Sequence, residues 1–151
     1  MHFQKILVTT DFSDESYRAF ELASYAAKME GSEITLLSVI EDWDVPPALV
    51  PSMPHAESIA AYREEMVQHA TEKLKKIAEE QFHQAKVNYK VIAGNRGPAR
   101  HILDYAKQCG AELIVMSSHG RGALGRLFLG SVVQQVLKEA TCPVLVAPQE
   151  R

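Results

Sequence analysis

Long hydrophobic runs are missing from this chain of 151 residues. Its apolar stretches are short, such as Ile34 to Leu37 and Leu113 to Met116. A membrane-spanning helix needs roughly 18 or more consecutive apolar residues, so no span is expected. An excess of basic charge is missing too. The formal net charge is −3 and the isoelectric point is about 6.1. A nucleic-acid-binding surface leaves a basic footprint, and none is present. Cysteine is scarce: Cys109 and Cys142 are too few for a disulfide framework and read as small core residues. The histidines (His2, His55, His69, His83, His101 and His119) are scattered, without the paired spacing of a metal site. Repeats and low-complexity tracts are absent. Met1 to Lys5 runs directly into Ile6-Leu7-Val8, without the basic and apolar regions of a secretory leader. The expectation is a protein of the reducing cytoplasm.

What is present is the composition of a folded domain, 46% hydrophobic and 23% charged. The length suits one domain, 1–151, built on a single core. Apolar runs alternate with helical patterns throughout. Gln4 to Thr9 reads as a buried strand, and Ser13 as the N-cap of a helix that ends at Gly31. Ile34 to Ile40 is a second strand. Asp42 to Ala56 carries Pro46, Pro47, Pro51 and Pro54 and reads as a long surface loop of the kind that forms lids. Glu57 to Phe82 is the longest helical pattern, with Tyr62, Met66, Ala70, Leu74 and Ile77 as its apolar stripe and its charges read as a solvated face. Val87 to Val91 alternates like an edge strand. Pro98 opens a helix that Gly110 stops, Glu112 to Met116 is a fourth strand, Ser131 to Ala140 a helix, and Pro143 to Ala147 a fifth strand.

Strict alternation of strand and helix implies an α/β fold with a parallel sheet covered on both faces. In such open sheets ligands bind beyond the carboxyl ends of the strands. The segment after the fourth strand, Ser117 to Ser131, is rich in glycine and leads into a helix. Glycine lets a ligand approach the main chain, and a helix N-terminus offers unpaired N–H groups, so the combination suits a phosphate. Gly120-x-Gly122-x-x-Gly125 matches the dinucleotide fingerprint in letters only. That fingerprint follows a first strand and needs an acid about 20 residues on, where this chain has Leu145. Gly125-x4-Gly130-Ser131 lacks the lysine of a P-loop.

Gly120, nine residues, Gly130 and Ser131 fit another spacing. Together with Lys5-Ile6-Leu7-Val8, Thr10-Asp11-Phe12-Ser13, Ser38-Val39-Ile40, Ser118-His119-Gly120-Arg121 and Cys142-Pro143-Val144-Leu145-Val146, it makes the chain resemble the universal stress protein family, in its ATP-binding subgroup. The resemblance implies a Rossmann-like open sheet of five parallel strands in the order 3-2-1-4-5. It also implies an adenine-nucleotide site, for ATP or AMP, with Mg²⁺ accompanying ATP. The residues implicated are Thr9, Thr10, Asp11, Val39, Met116, Ser117, Ser118, His119, Gly120, Arg121, Gly130, Ser131 and Val132. Asp11 would lie beside the adenosine, or else cap the first helix. Val39 would line the adenine pocket, and Gly120, Gly130 and Ser131 would contact phosphates through main-chain N–H groups and the Ser131 hydroxyl. His119 supports the loop rather than acting as a base, since no nucleophile accompanies it. Ser117 stands where the family's motif has its first glycine. The family also implies a homodimer paired through the last strand, Val144 to Ala147. The leading expectation is a nucleotide-binding stress-response module without catalytic residues. The alternatives are a slow ATPase or nucleotide-transferring enzyme, and an interaction module that has lost the nucleotide.

Overall fold

A computed structural model describes residues 2–41, 56–83, 85–120 and 129–148. The proline-rich segment 42–55 and the centre of the glycine-rich segment, 121–128, lie outside the described residues. Five strands and four helices alternate: β1 (Lys5–Thr9), α1 (Ser16–Glu30), β2 (Glu33–Glu41), α2 (Ala56–Gln81), β3 (Lys86–Gly94), α3 (Pro98–Cys109), β4 (Leu113–Ser117), α4 (Ser131–Glu139) and β5 (Val144–Ala147). All strand pairs are parallel, in the order β3-β2-β1-β4-β5. This is the expected architecture and order.

The pattern of burial explains the order. Ile6, Leu7 and Val8 are all buried, as a central strand covered on both faces requires. Ile6 and Val8 join Ile34, Leu36 and Val115 under α1 and α2, where Phe20, Leu74 and Phe82 pack. Leu7 turns the other way, with Leu37, Ile114 and Met116, against α3 and α4 through Ile102, Leu103, Val133 and Val136. β3 is an edge strand, as its alternation suggested. It is fastened to β2 by Lys86 Nζ, which donates to Glu33 Oε2 at 3.1 Å, and by Asn88 Nδ2, which donates to Glu33 Oε1. The Lys86 ammonium, and after it the Asn88 amide, hold the Glu33 carboxyl below its ordinary range against the opposing effect of burial.

Two local readings are corrected. Ser13 does not cap α1, which begins at Ser16 and has no side-chain cap. Ser13 lies in a preceding turn, and its carbonyl accepts from Ser16 N at 3.1 Å. The turn has more hydrogen-bonding side chains than a simple cap needs, and they close on one another instead. Cys109 and Cys142 are free and half-buried rather than fully in the core. Burial raises both thiols above the ordinary range, and for Cys142 the nearby Cys109 adds to the effect. A raised thiol pKa leaves less thiolate at a given pH. Iodoacetamide near pH 8 should therefore label the native protein more slowly than the urea-unfolded protein. Equal rates, read by mass spectrometry, would contradict this description.

Candidate functional site

The carboxyl ends of the strands open into a cleft of about 760 Å³, within the usual range of small-molecule sites. Its floor is made by the residues where β1, β2 and β4 end. Thr9, Thr10, Asp11, Val39, Met116, Ser117, His119, Gly120, Gly130, Ser131 and Val132 all line it. Among the described residues Phe12, Ile40, Glu41 and Pro98, which follow strand ends, line it too, and Leu37, Ser38, Met66, His69, Ala70, Lys73, Ile102 and Val133 join them without having been anticipated. Ser118 is buried behind the wall, with Oγ hydrogen-bonded to His119 Nδ1 at 2.9 Å. Arg121 lies outside the described residues.

The turn after β1 is held by a network of short polar side chains. Thr10 Oγ1 lies 3.0 Å from Ser16 Oγ and accepts from Phe12 N at 2.9 Å. Asp11 Oδ1 accepts from Ser13 N at 3.0 Å and from Ser13 Oγ at 2.5 Å. Asp11 thus serves this turn rather than the helix N-terminus. Phe12 has φ 64°, a left-handed conformation that costs a bulky side chain of order 1 kcal/mol or more. The network and the packing of the Phe12 ring against the α1–α2 core hold it there.

The turn after β4 is closed in the same fashion. Ser117 Oγ donates to the His119 carbonyl at 2.7 Å. The serine that replaces a motif glycine therefore spends its hydroxyl inside the loop. Gly120 lies against Asp11 so closely that a Cβ there would overlap Asp11 Oδ2. The Asp11 carboxylate and the Gly120 main chain thus meet at the mouth of the cleft. Gly130 precedes α4, and its amide donates to the Ser118 carbonyl at 2.9 Å. Its N–H is committed. The amides of Ser131, Val132 and Val133 open the first turn of α4, where the helix's own ladder cannot reach them.

Val39 owes its position to unequal strand lengths. β1 stops pairing at Thr9, opposite Leu37, whereas β2 continues beside β3 to Glu41. Leu37 gives its carbonyl to Thr10 N at 2.9 Å, so its polar groups face β1. Successive residues of a parallel strand alternate sides. Val39 therefore turns its own N–H and C=O to the side where β1 has ended, toward the cleft.

The helix read as a solvated charged face contributes Met66, His69, Ala70 and Lys73 to the cleft wall. These positions follow helical spacing, so they share one face. α2 spans 26 residues and β2 only 9. A helix that outruns the sheet it covers must overhang one end of it, and that mismatch was the available signal. Lys73 Nζ sits 5.3 Å from the centre of the Phe12 ring. Among the described residues there is no group of three potential metal ligands, and no helix long and apolar enough to cross a membrane.

Comparison with known proteins places this geometry in a group. The universal stress protein family matches residues 2–148. The universal stress protein MJ0531 of Methanocaldococcus jannaschii is 36% identical over 150 residues, covering 99% of this chain and 84% of that protein. The solved structure of MJ0577, a universal stress protein of the same organism, superposes with a TM-score of 0.84 at 28% identity, covering 100% of this chain and 99% of that one. Two solved universal stress proteins are complexes with nucleotides. One, bound to cAMP, has a TM-score of 0.63 at 19% identity and covers 99% of this chain and 100% of its own. The other, from Archaeoglobus fulgidus and bound to dAMP, has a TM-score of 0.58 at 22% identity and covers 97% and 98%. At those identities the likeness to the two complexes is one of fold.

Proposed function

This chain belongs to the universal stress protein family, and on that premise we propose that its cleft binds an adenine nucleotide. The observation that carries the reading is Val39, whose N–H and C=O face the cleft with no strand to pair them among the described residues. A donor beside an acceptor complements the acceptor and amino donor that adenine presents along one edge; guanine carries a carbonyl where adenine has its amino group. Asp11 stands where a ribose would lie. The first turn of α4 offers amides and the positive end of a helix dipole to phosphates. The fold-level relatives bound to cAMP and dAMP support the same ligand class. Gly130 enters this reading as the residue that ties the turn to Ser118, and Ser131 and Val132 as the phosphate donors.

Mg²⁺ would arrive on the phosphates of ATP, and the chain's own residues would hold the nucleotide rather than the ion. The reading is a binding module. Among the described residues the serine hydroxyls that meet a base, Ser118 on His119 Nδ1 and Ser13 on Asp11, do not line the cleft. A homodimer through β5 belongs to the same proposal. β5 is a sheet edge whose Leu145 is exposed, and pairing two such edges removes an aggregation hazard.

Calorimetric titration with ATP, ADP, AMP and GTP tests the reading. Adenine nucleotides should bind, and GTP should bind at least about tenfold more weakly, as the loss of matched buried hydrogen bonds implies. Ser131→Ala keeps the main-chain amide and removes the hydroxyl, and should weaken ATP by about tenfold or more, the worth of one hydrogen bond to a charged group. Heat and thermal shift absent with every nucleotide would overturn the proposal.

A further inference from the structure

We propose that Lys73 is the cation that pairs with the phosphates of the bound ligand, so that α2 sets how strongly the cleft favours a polyphosphate over a nucleoside. The inference rests on the nucleotide reading above and adds a residue that the glycine-rich motif does not contain.

Three observations lead to it. First, Lys73 lines the cleft. Among the described lining residues Asp11 and Glu41 bring carboxylates, and Lys73 brings an ammonium. A phosphate entering this space meets like charge at Asp11, and in a partly enclosed cleft such repulsion is stronger than in water.

Second, Lys73 is held by little. Its described contact is the face of the Phe12 ring at 5.3 Å. At an exposed site such a contact is worth about 0.5–1 kcal/mol. The ion pairs among the described residues, such as Lys76 with Glu80 and Arg96 with Asp104, leave Lys73 out. An ammonium on a flexible stem, parked on an aromatic face, loses little by moving to a phosphate and gains a charge-assisted hydrogen bond.

Third, the contacts run in a chain from Lys73 to the phosphate end. Lys73 lies over Phe12, Phe12 follows Asp11, and the Asp11 carboxylate lies against Gly120. The strained backbone of Phe12 and the hydrogen bonds of Thr10 and Ser13 fix this spacing. Lys73 and Gly120 thus line the same cleft, joined through Phe12 and Asp11.

The test uses the full chain as wild type, Lys73→Met and Lys73→Arg. Methionine keeps an apolar stem over Phe12 and removes the charge. Each protein is titrated by calorimetry with ATP, AMP, adenosine and inorganic tripolyphosphate. Lys73→Met should weaken ATP by about tenfold or more, AMP less, and adenosine not at all; Lys73→Arg should recover most of the ATP affinity. Added salt should weaken ATP binding more in the wild type than in Lys73→Met. Equal losses for ATP and adenosine would mark Lys73 as merely structural and overturn the inference, as would unchanged ATP affinity. If the wild type binds no nucleotide, the nucleotide reading fails and tripolyphosphate decides Lys73 by itself. Tripolyphosphate binding lost in Lys73→Met upholds the role. Tripolyphosphate binding that survives the substitution, or is absent from the wild type, overturns it.

Discussion

Gly120→Ala should abolish or cripple ligand binding and also lower stability. The added Cβ overlaps Asp11 Oδ2. An overlap with a free side-chain tip is cheap, because the tip swings away. Asp11 is not such a tip, since its other oxygen accepts from both Ser13 N and Ser13 Oγ. Either the carboxylate abandons the turn or the glycine-rich loop backs out of the cleft. Overpacking of this kind costs about 1–3 kcal/mol. A displaced loop also takes phosphate donors off target, at about tenfold or more in affinity for each charge-assisted bond lost. Urea unfolding of Gly120→Ala, Asp11→Ala and the double mutant checks the cause. The stability cost of Gly120→Ala should largely vanish once Asp11 is shortened, a coupling of about 1 kcal/mol or more. Strictly additive costs would show that the two residues do not meet.

Phe20→Ala should produce the largest loss of stability. Phe20 is completely buried. Its ring stands edge-on to Tyr17 at 5.4 Å and to Phe82 at 6.0 Å, joining α1 to the residue that follows α2. Large-to-small aromatic substitution in a core costs about 3–5 kcal/mol, against a total of about 5–15 kcal/mol for a typical domain. Equilibrium urea unfolding should show the midpoint falling sharply. A loss below about 1 kcal/mol would mean that the surroundings collapse onto the space, contrary to the packing described here.

The fold was legible because its strands carry burial in their composition. Ile6-Leu7-Val8 has no polar alternate, which marks a strand covered on both sides, whereas Asn88 and Lys90 within β3 mark an edge. Gly31 and Gly110 announced their helix ends, and both have a left-handed φ of 67°. The order of strands was less legible from periodicity, since alternation fixes a parallel sheet but leaves several windings; the family resemblance supplied it. The floor of the cleft could be read because it follows strand ends. Its wall could not. Met66, His69 and Lys73 belong to a helix whose charges look solvated until the lengths of α2 and β2 are set against each other. Local hydrogen bonding was also hidden. Ser13 looked like a cap, but which of Thr10, Asp11, Ser13 and Ser16 bonds to which depends on a backbone turn with Phe12 in an unusual conformation. The commitment of the Gly130 amide to Ser118, and of the Ser117 hydroxyl to His119, likewise needs the loop closed in space.

The central place of β1 bears on how the protein is made. Its neighbours are β2, a short way along the chain, and β4, where Ile6 pairs with Leu113. A ribosome adds about 5–20 residues per second, so one flank of β1 waits for several seconds after the other can pair. During that interval Ile6, Leu7 and Val8 present an incomplete, sticky border of the kind that chaperones recognise. The cleft shares the delay, because Asp11 is synthesised early and Gly120 late. The two halves of the site meet only when the border between β1 and β4 closes. A ligand bridging them would act on that late closure and leave the earlier nascent stages untouched.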